Sequence, residues 1–195
     1  GEQFYREYMG GHSLICYYLL KETPAHIDPL GPNNKIIFAT GVLTGIPVAG
    51  CGRNRVGARS PLTGTIASSE VGGFWGTQLK RSGYDAIIIE GKADSPVYIW
   101  INNENVEIRN ASHLWGLENL EAHRLICEEV QQNRASIAQI GPAGENHVLF
   151  ANIMADLAHS AGRGGLGAVM GSKNLKAIAV YGTNRVQVHN DNGVK

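Results

Sequence analysis

The chain has 195 residues, with Lys+Arg 17 and Asp+Glu 17 for a formal net charge of zero, 43% hydrophobic residues and 17% charged ones. This balance excludes a general binder of nucleic acid or anionic membrane, which carries a basic excess, and apolar runs at 36–39 and 86–89 exclude intrinsic disorder. No apolar stretch approaches the ~18 residues of a membrane span, and three separated cysteines (Cys16, Cys51, Cys127) exclude a disulfide framework, which fits a cytoplasmic protein.

Residues 12–22 predict a helix, with Leu14, Ile15, Tyr18 and Leu19 on one stripe and Pro24 as its stop. Residues 35–40 predict a strand. Residues 41–73, dense in Gly, Pro, Ser and Thr, read as one long functional loop. A short helix at 74–81 ends at Gly83, and a buried strand follows at 86–90. Residues 96–101 and 106–109 flank Asn102-Asn103-Glu104-Asn105 as a β-hairpin. Residues 117–132 form an amphipathic helix through Leu117, Leu120, Leu125 and Val130. Strands are expected at 135–140 and 147–154. A second Gly-rich stretch, 162–171, leads into a strand at 177–181. The chain opens Gly1-Glu2-Gln3-Phe4, with neither Met nor a basic-then-apolar leader, and closes on a polar, turn-rich tail; the expectation is a piece of a longer protein.

An internal repeat is visible. Gly72-Gly73, short helix, turn, Asp85-Ala86-Ile87, Gly91 parallels Gly164-Gly165, short helix, turn, Lys176-Ala177-Ile178, Gly182. The offset of about 91 to 100 residues lies far beyond solenoid periods. It predicts a duplicated, β-rich α+β fold: a saddle or pseudo-barrel of two sheets with short helices, in halves of about 1–110 and 111–195.

Glycine clusters let backbone N–H groups approach a ligand without Cβ obstruction, and a following helix favours an anion. Gly162-Arg163-Gly164-Gly165-Leu166-Gly167 adds one Arg, which suits phosphate. It contains G-x-G-x-x-G, but the dinucleotide reading fails. Six residues, 156–161, separate the glycines from a preceding strand, and the next strand arrives too soon for a crossover helix. The first loop repeats the chemistry: Arg53, Arg55 and Arg59 fall within seven positions, before Ser68-Ser69-Glu70-Val71-Gly72-Gly73.

Gly57-Ala-Arg-Ser-Pro-Leu-Thr-Gly64, Gly72-Gly73-Phe-Trp-Gly76, Gly83-Tyr-Asp-Ala-Ile87, Ile140-Gly-Pro-Ala-Gly-Glu-Asn146 and Gly162-Arg-Gly-Gly-Leu-Gly-Ala-Val-Met-Gly-Ser-Lys-Asn-Leu-Lys-Ala-Ile178 together resemble the N-terminal domain of the aldehyde ferredoxin oxidoreductases. The resemblance spans essentially the whole chain. It implies a tungsten (or molybdenum) bis-pterin enzyme that oxidises aldehydes to carboxylic acids and passes electrons through a [4Fe-4S] cluster to ferredoxin. In that family this domain is a base under the cofactor, one pterin per half. Proton-transfer groups and cluster cysteines lie in later domains, and strands usually precede this region. The partners implied are ferredoxin, an aldehyde, the remaining domains of the same protein and a second copy of the chain.

Carried over by position, the resemblance implies that Arg53 bridges pterin and cluster, that Gly72 contacts the first pterin, and that Ser160, Gly162 and Arg163 bind the second pterin and its phosphate. Glu70 stands where an Asn gives an oxygen to a Mg²⁺ joining the two phosphates; a carboxylate is also a hard oxygen ligand. Ser160 stands where a small residue offers its carbonyl to the same ion. His159 replaces an Arg, and an imidazole lacks the guanidinium fork. The metal is held by the cofactor's dithiolenes, so no protein ligand to it is expected. Two other readings remain at this level: the same base in an aromatic acyl-CoA reductase subunit, or a non-catalytic oligomerising domain. Cys51 reads as inert, Cys16 and Cys127 as core, the three Trp as packing residues, Glu145-Asn146 as structural, His12 as a weaker candidate and the other His as surface.

Overall fold

A computed structural model describes residues 2–193. Two helices open the chain, α1 (Glu2–Tyr8) and α2 (Gly11–Glu22). The second matches the predicted helix: Leu14, Ile15 and Leu19 are buried, and Thr23, extended ahead of Pro24, closes it. The first was not predicted; it has no buried residue to give it a periodic stripe. Next come β1 (Ile36–Thr40), β2 (Asn54–Arg59), β3 (Ile66–Val71), α3 (Trp75–Arg81) and β4 (Ala86–Ile89). The hairpin is β5 (Val97–Asn102) and β6 (Asn105–Asn110), turned at Asn103, whose φ is 50°. Then follow α4 (Asn119–Glu129), β7 (Ser136–Gln139), the single-turn α5 (Pro142–Glu145), β8 (Ile153–Ala155), β9 (His159–Ala161), α6 (Leu166–Ser172) and β10 (Leu175–Tyr181).

Two expectations are corrected. Residues 41–73 are not one loop, because β2 and β3 cross them as paired strands. Val56 and Ala58 point into the core while Gly57 faces α2, where a Cβ would lie 2.4 Å from Ile15 Cγ2. The glycine that disguised the strand is required by helix packing. Residues 147–154 are not one strand either. Only Ile153 onward pairs, and Phe150 is 71% exposed on the preceding loop.

The strands form a four-stranded sheet, β3-β2-β1-β4, and a six-stranded sheet, β6-β5-β10-β7-β8-β9. Read backwards, the last four strands of the second sheet give β9-β8-β7-β10, the order of the first sheet, and all neighbours within both sets are antiparallel. The remaining strands are the hairpin, with β5 parallel to β10. The fold is mixed α+β with two sheets and short helices.

One core cluster joins the sheets. Ile36, Phe38, Val56 and Ala58 of the first meet Ala138, Ile153, Ile178 and Val180 of the second, with Trp75, Leu79, Val169 and Met170 from α3 and α6. Both helices lie between the sheets: α3 packs on β10, β1 and β7, and α6 on β10, β2 and β1. The outer faces are covered in the same manner, the first by Leu14, Ile15 and Leu19 of α2, the second by Ile126 and Cys127 of α4.

Candidate functional site

β3 and β9 are outer strands of different sheets, and they run side by side. A Cβ on Gly72 would lie 3.3 Å from His159 Nδ1, and one on Gly73 2.8 Å from His159 Cδ2. A Cβ on Gly164 would lie 2.6 Å from that of Ala67. As the chain advances from Ala67 to Gly73, its neighbour therefore runs back from Gly164 to His159. The two Gly-rich stretches, over 80 residues apart, become antiparallel edges of one seam.

Glycine is required here for two reasons. Gly73, Gly164 and Gly165 have φ of 88°, 76° and 67°, the left-handed region that side chains disfavour. Their neighbours also leave no room: a Cβ on Gly165 would sit 1.9 Å from the Leu149 carbonyl oxygen. Asp156 ties the seam together. Its Oδ2 accepts from the Phe74 N–H at 3.0 Å, at the start of α3, and its Oδ1 accepts from Ile137 N–H at 3.1 Å.

The charged groups border this seam. Thr44 holds the first: its Oγ1 donates to the Arg53 carbonyl at 2.9 Å and accepts from Gly41 N–H at 2.9 Å. The Arg53 side chain, 65% exposed, donates from Nη1 to Glu70 Oε1 at 2.9 Å. Arg55 Nη2 donates to Glu70 Oε2 at 2.7 Å. Arg55 and Glu70 are direct cross-strand partners on β2 and β3. A cavity of about 300 Å³ opens beside them, lined by Gly11, Gly41, Arg53, Arg55 and Glu70. Across the seam, Arg163 is exposed, and neither it nor the His159 ring has a hydrogen-bond or ion-pair partner among the described residues. Ser160 lies opposite Met154, and Gly162 is exposed beside it.

The seam thus brings Gly72, His159, Ser160, Gly162 and Arg163 together, with Arg53 and Glu70 at one border. Arg53, Arg55 and Arg163 border the seam against two carboxylates, Glu70 paired with the first two and Asp156 tied to backbone N–H groups, and the Arg163, Gly164 and Gly165 N–H groups donate to nothing among the described residues. Such a surface suits a multiply charged anion. The residues fit a phosphate-bearing ligand: the strip is bare backbone where a Cβ would intrude, and it offers free N–H donors beside the exposed Arg163.

Sequence reasoning missed Arg55 and Asp156. Arg55 was noted only as one of three loop arginines, and its partner across the strand depends on register. Asp156 carried no motif. His12, the weaker candidate, accepts or donates at 2.8 Å with Ser68 Oγ, and Cys16 Sγ lies 3.4 Å from its Nε2. His123, expected on the surface, is half-buried; burial lowers its pKa and its Nδ1 has no partner. Glu145 is buried against Lys176, a structural ion pair completed by Gly116 N–H at 2.7 Å and the Leu117 carbonyl at 2.9 Å. Among the described residues, no helix is long and apolar enough to cross a membrane.

The model of the aldehyde ferredoxin oxidoreductase N-terminal domain matches residues 1–182. The tungsten-containing aldehyde ferredoxin oxidoreductase of Pyrococcus horikoshii is 55% identical over 187 residues, 96% of this chain and 31% of that protein. The aliphatic sulfonate oxidoreductase WOR-like subunit of Pyrococcus furiosus is 40% identical over 197 residues, 93% of this chain and 31% of that protein. Among solved structures, the active-site complex BamBC of benzoyl coenzyme A reductase with 1,5-dienoyl-CoA superposes at a TM-score of 0.92 with 45% identity, over 95% of this chain and 28% of that one. The chain spans about a third of the length of these relatives.

Proposed function

The chain belongs to the aldehyde ferredoxin oxidoreductase family, and from that premise we propose that it is the cofactor base of a tungsten (or molybdenum) bis-pterin oxidoreductase that converts aldehydes to carboxylic acids and delivers electrons through a [4Fe-4S] cluster to ferredoxin. The observation that carries this reading is the β3–β9 seam. Two stretches of bare backbone, each bordered by arginine, form one continuous surface.

The chain's own residues bind and orient. Two phosphates held close together repel, and that repulsion is offset by fixed positive charge and by N–H donors. Arg53 serves the first arm. Arg163, with the Gly162, Gly164 and Gly165 backbone, serves the second. His159, packed under Gly72 and Gly73, gives one ring nitrogen to the border between them. The group supplies the two-electron chemistry when bound, and the described residues carry no acid/base pair for it. Proton transfer, cluster ligands and the ferredoxin contact belong to the other domains of the protein.

The matching strand orders support a duplication in halves of about 1–110 and 111–195 that together make the saddle. The correspondence is incomplete at one place. Among the described residues, β4 has no outer neighbour where the second sheet carries its β5–β6 hairpin. Beside that open edge lies an apolar groove lined by Ile89, Val97, Ile99 and Ile108, the last 72% exposed. Further strands complete the fold there, from the same protein or from a partner chain. A homo-oligomer in the cytoplasm is part of the same reading.

A second reading, an aromatic acyl-CoA reductase subunit on the same base, is favoured by the BamBC likeness. The experiment is to purify the full-length protein, assay tungsten and pterin in wild type, Arg53→Ala and Arg163→Ala, and assay wild type with aldehydes and with aromatic acyl-CoA. Loss of both components in the variants supports the cofactor base, and the productive substrate separates the two readings. Full tungsten content in both variants contradicts the base itself.

A further inference from the structure

Asp156 is the first residue beyond β8, at the tip of the β8–β9 hairpin. The Ala158 N–H donates to the Ala155 carbonyl at 3.2 Å and closes a turn whose two central residues, Asp156 and Leu157, have φ of 50° and 59°. Such a turn belongs to Gly, Asn and Asp, and a leucine in it is strained. From this tip the carboxylate leaves its own hairpin and reaches the opposite edge of the seam. We propose that Asp156 is a positioning residue for the bound cofactor, holding Gly72 and Gly73 against His159 so that the first-half strip keeps its ligand-facing shape. The proposal rests on the cofactor-base reading.

Three observations carry it. First, both carboxylate oxygens are spent on backbone N–H groups of separate elements. Oδ2 accepts from Phe74 at the start of α3, at 3.0 Å, and Oδ1 from Ile137 of β7, at 3.1 Å, while the Asp156 N–H returns a bond to the Ile137 carbonyl at 3.0 Å. The carboxylate is thus anchored on the second sheet and pulls on the first through a charge-assisted bond. Second, one hairpin delivers two groups to one glycine. A Cβ on Gly73 would lie 3.1 Å from Asp156 Oδ2 and 2.8 Å from His159 Cδ2, so the place of Gly73 follows from where Asp156 holds Phe74. Third, the internal repeat shows what the tie adds. The matching strand orders equate β2 with β8, so the counterpart of Asp156 is Ser60, the first residue beyond β2. Ser60 also leans on the other half's glycines, its Oγ 3.9 Å from a Cβ on Gly164. Yet that Oγ accepts only from Leu62 and Thr63 of its own turn, at 3.2 and 3.1 Å, and leaves the Gly164 and Gly165 N–H groups free. The strip therefore has one end fixed by a side chain, at Gly73, and one end with open donors, at Gly164 and Gly165. A fixed end sets the ligand's orientation, and open donors bind it.

The test uses the full-length protein as purified, with tungsten measured per chain by elemental analysis, pterin by fluorescence after oxidation, stability by urea midpoint, and deuterium uptake over residues 72–76. Asp156→Ala removes both bonds, and Asp156→Asn keeps one oxygen acceptor. Leu19→Ala, a cavity under α2 on the far face of the first sheet, is the control for stability alone. Asp156→Ala is expected to retain about a third or less of wild-type tungsten and pterin, and Asp156→Asn an intermediate amount, both with raised uptake over 72–76. Leu19→Ala is expected to keep wild-type tungsten at an equal or lower midpoint. Wild-type tungsten in Asp156→Ala, a loss no greater than that of Leu19→Ala at a matched midpoint, or unchanged uptake over 72–76 overturns the proposal. If Asp156→Ala does not fold, Asp156→Asn decides by the same comparison. If Arg53→Ala and Arg163→Ala keep full tungsten, the cofactor-base reading has failed and this inference with it; if they lose it and Asp156→Ala does not, only this inference has failed.

Discussion

The indole N–H of Trp75 donates to the carbonyl oxygen of Ile178 at 2.9 Å, across the core from α3 to β10 in the middle of the second sheet. Trp75 is 1% exposed and packs on Phe38 with ring centroids 5.2 Å apart. Trp75→Phe removes that bond and leaves a void that the sheets cannot close. It is expected to cost about 2–3 kcal/mol, read as a lower urea midpoint with an unchanged slope.

Backbone conformation and space make separable predictions at two glycines. Gly50 has φ of 85° with nothing within 4 Å of a built Cβ, so Gly50→Ala pays conformation alone, about 1 kcal/mol. Gly165 adds the 1.9 Å approach to the Leu149 carbonyl oxygen, which is backbone and cannot swing aside. Gly165→Ala should destabilise several-fold more, with the Gly50 and Gly165 variants compared by chemical denaturation of the same protein.

Much of this fold is legible from residue pattern. The α2 stripe of Leu14, Ile15 and Leu19, and the Asn103-Glu104 turn between two β-rich runs, express local periodicities of 3.6 and 2. β2 and β3 were not legible, because Gly57, Ser68 and Ser69 occupy strand positions whose side chains are set by contact with α2 and the second half. β8 and β9, three residues each, are too short for a period. In the candidate site, the glycines and Arg163 stood out as motif, but the approach of His159 to Gly72 joins residues 87 positions apart and appears only when the two sheets meet. Glu70 was recognisable as a departure from its relatives; its two arginine partners were not, because strand register is a property of the fold.

The buried pair Lys176–Glu145 predicts an asymmetry. Both side chains are almost wholly excluded from solvent. Lys176→Met strands a carboxylate in the core and should cost about 3–5 kcal/mol. Adding Glu145→Leu removes the orphan charge and should recover part of that loss. A double variant less stable than Lys176→Met would contradict this account of the pair.

Lys173, just past α6, donates to the Asn34 carbonyl at 2.5 Å and the Gly91 carbonyl at 2.9 Å. Burial, chiefly, pushes its pKa down from 10.5 to about 8; nearby Lys35 adds to the shift and Glu90 offsets part of it. The unfolded chain therefore binds more protons than the folded one between pH 8 and pH 10.5. The burial cost is fully present below pH 8 and is relieved as pH rises through that window, by up to ~3 kcal/mol. Cysteines and tyrosines titrate there too, so the readout is wild type minus Lys173→Met. That difference should rise from pH 7.5 to pH 10; a flat difference would show that Lys173 stays charged in the fold.

The central claim is that loops from both halves grip one ligand above the β3–β9 seam. Anomalous diffraction at the tungsten edge from crystals of the loaded full-length protein tests it most directly. The account predicts a single tungsten peak over Gly72 and Gly162, with phosphate density reaching both Arg53 and Arg163. A peak on another face of the domain, or phosphate density touching only one of the two arginines, would contradict it.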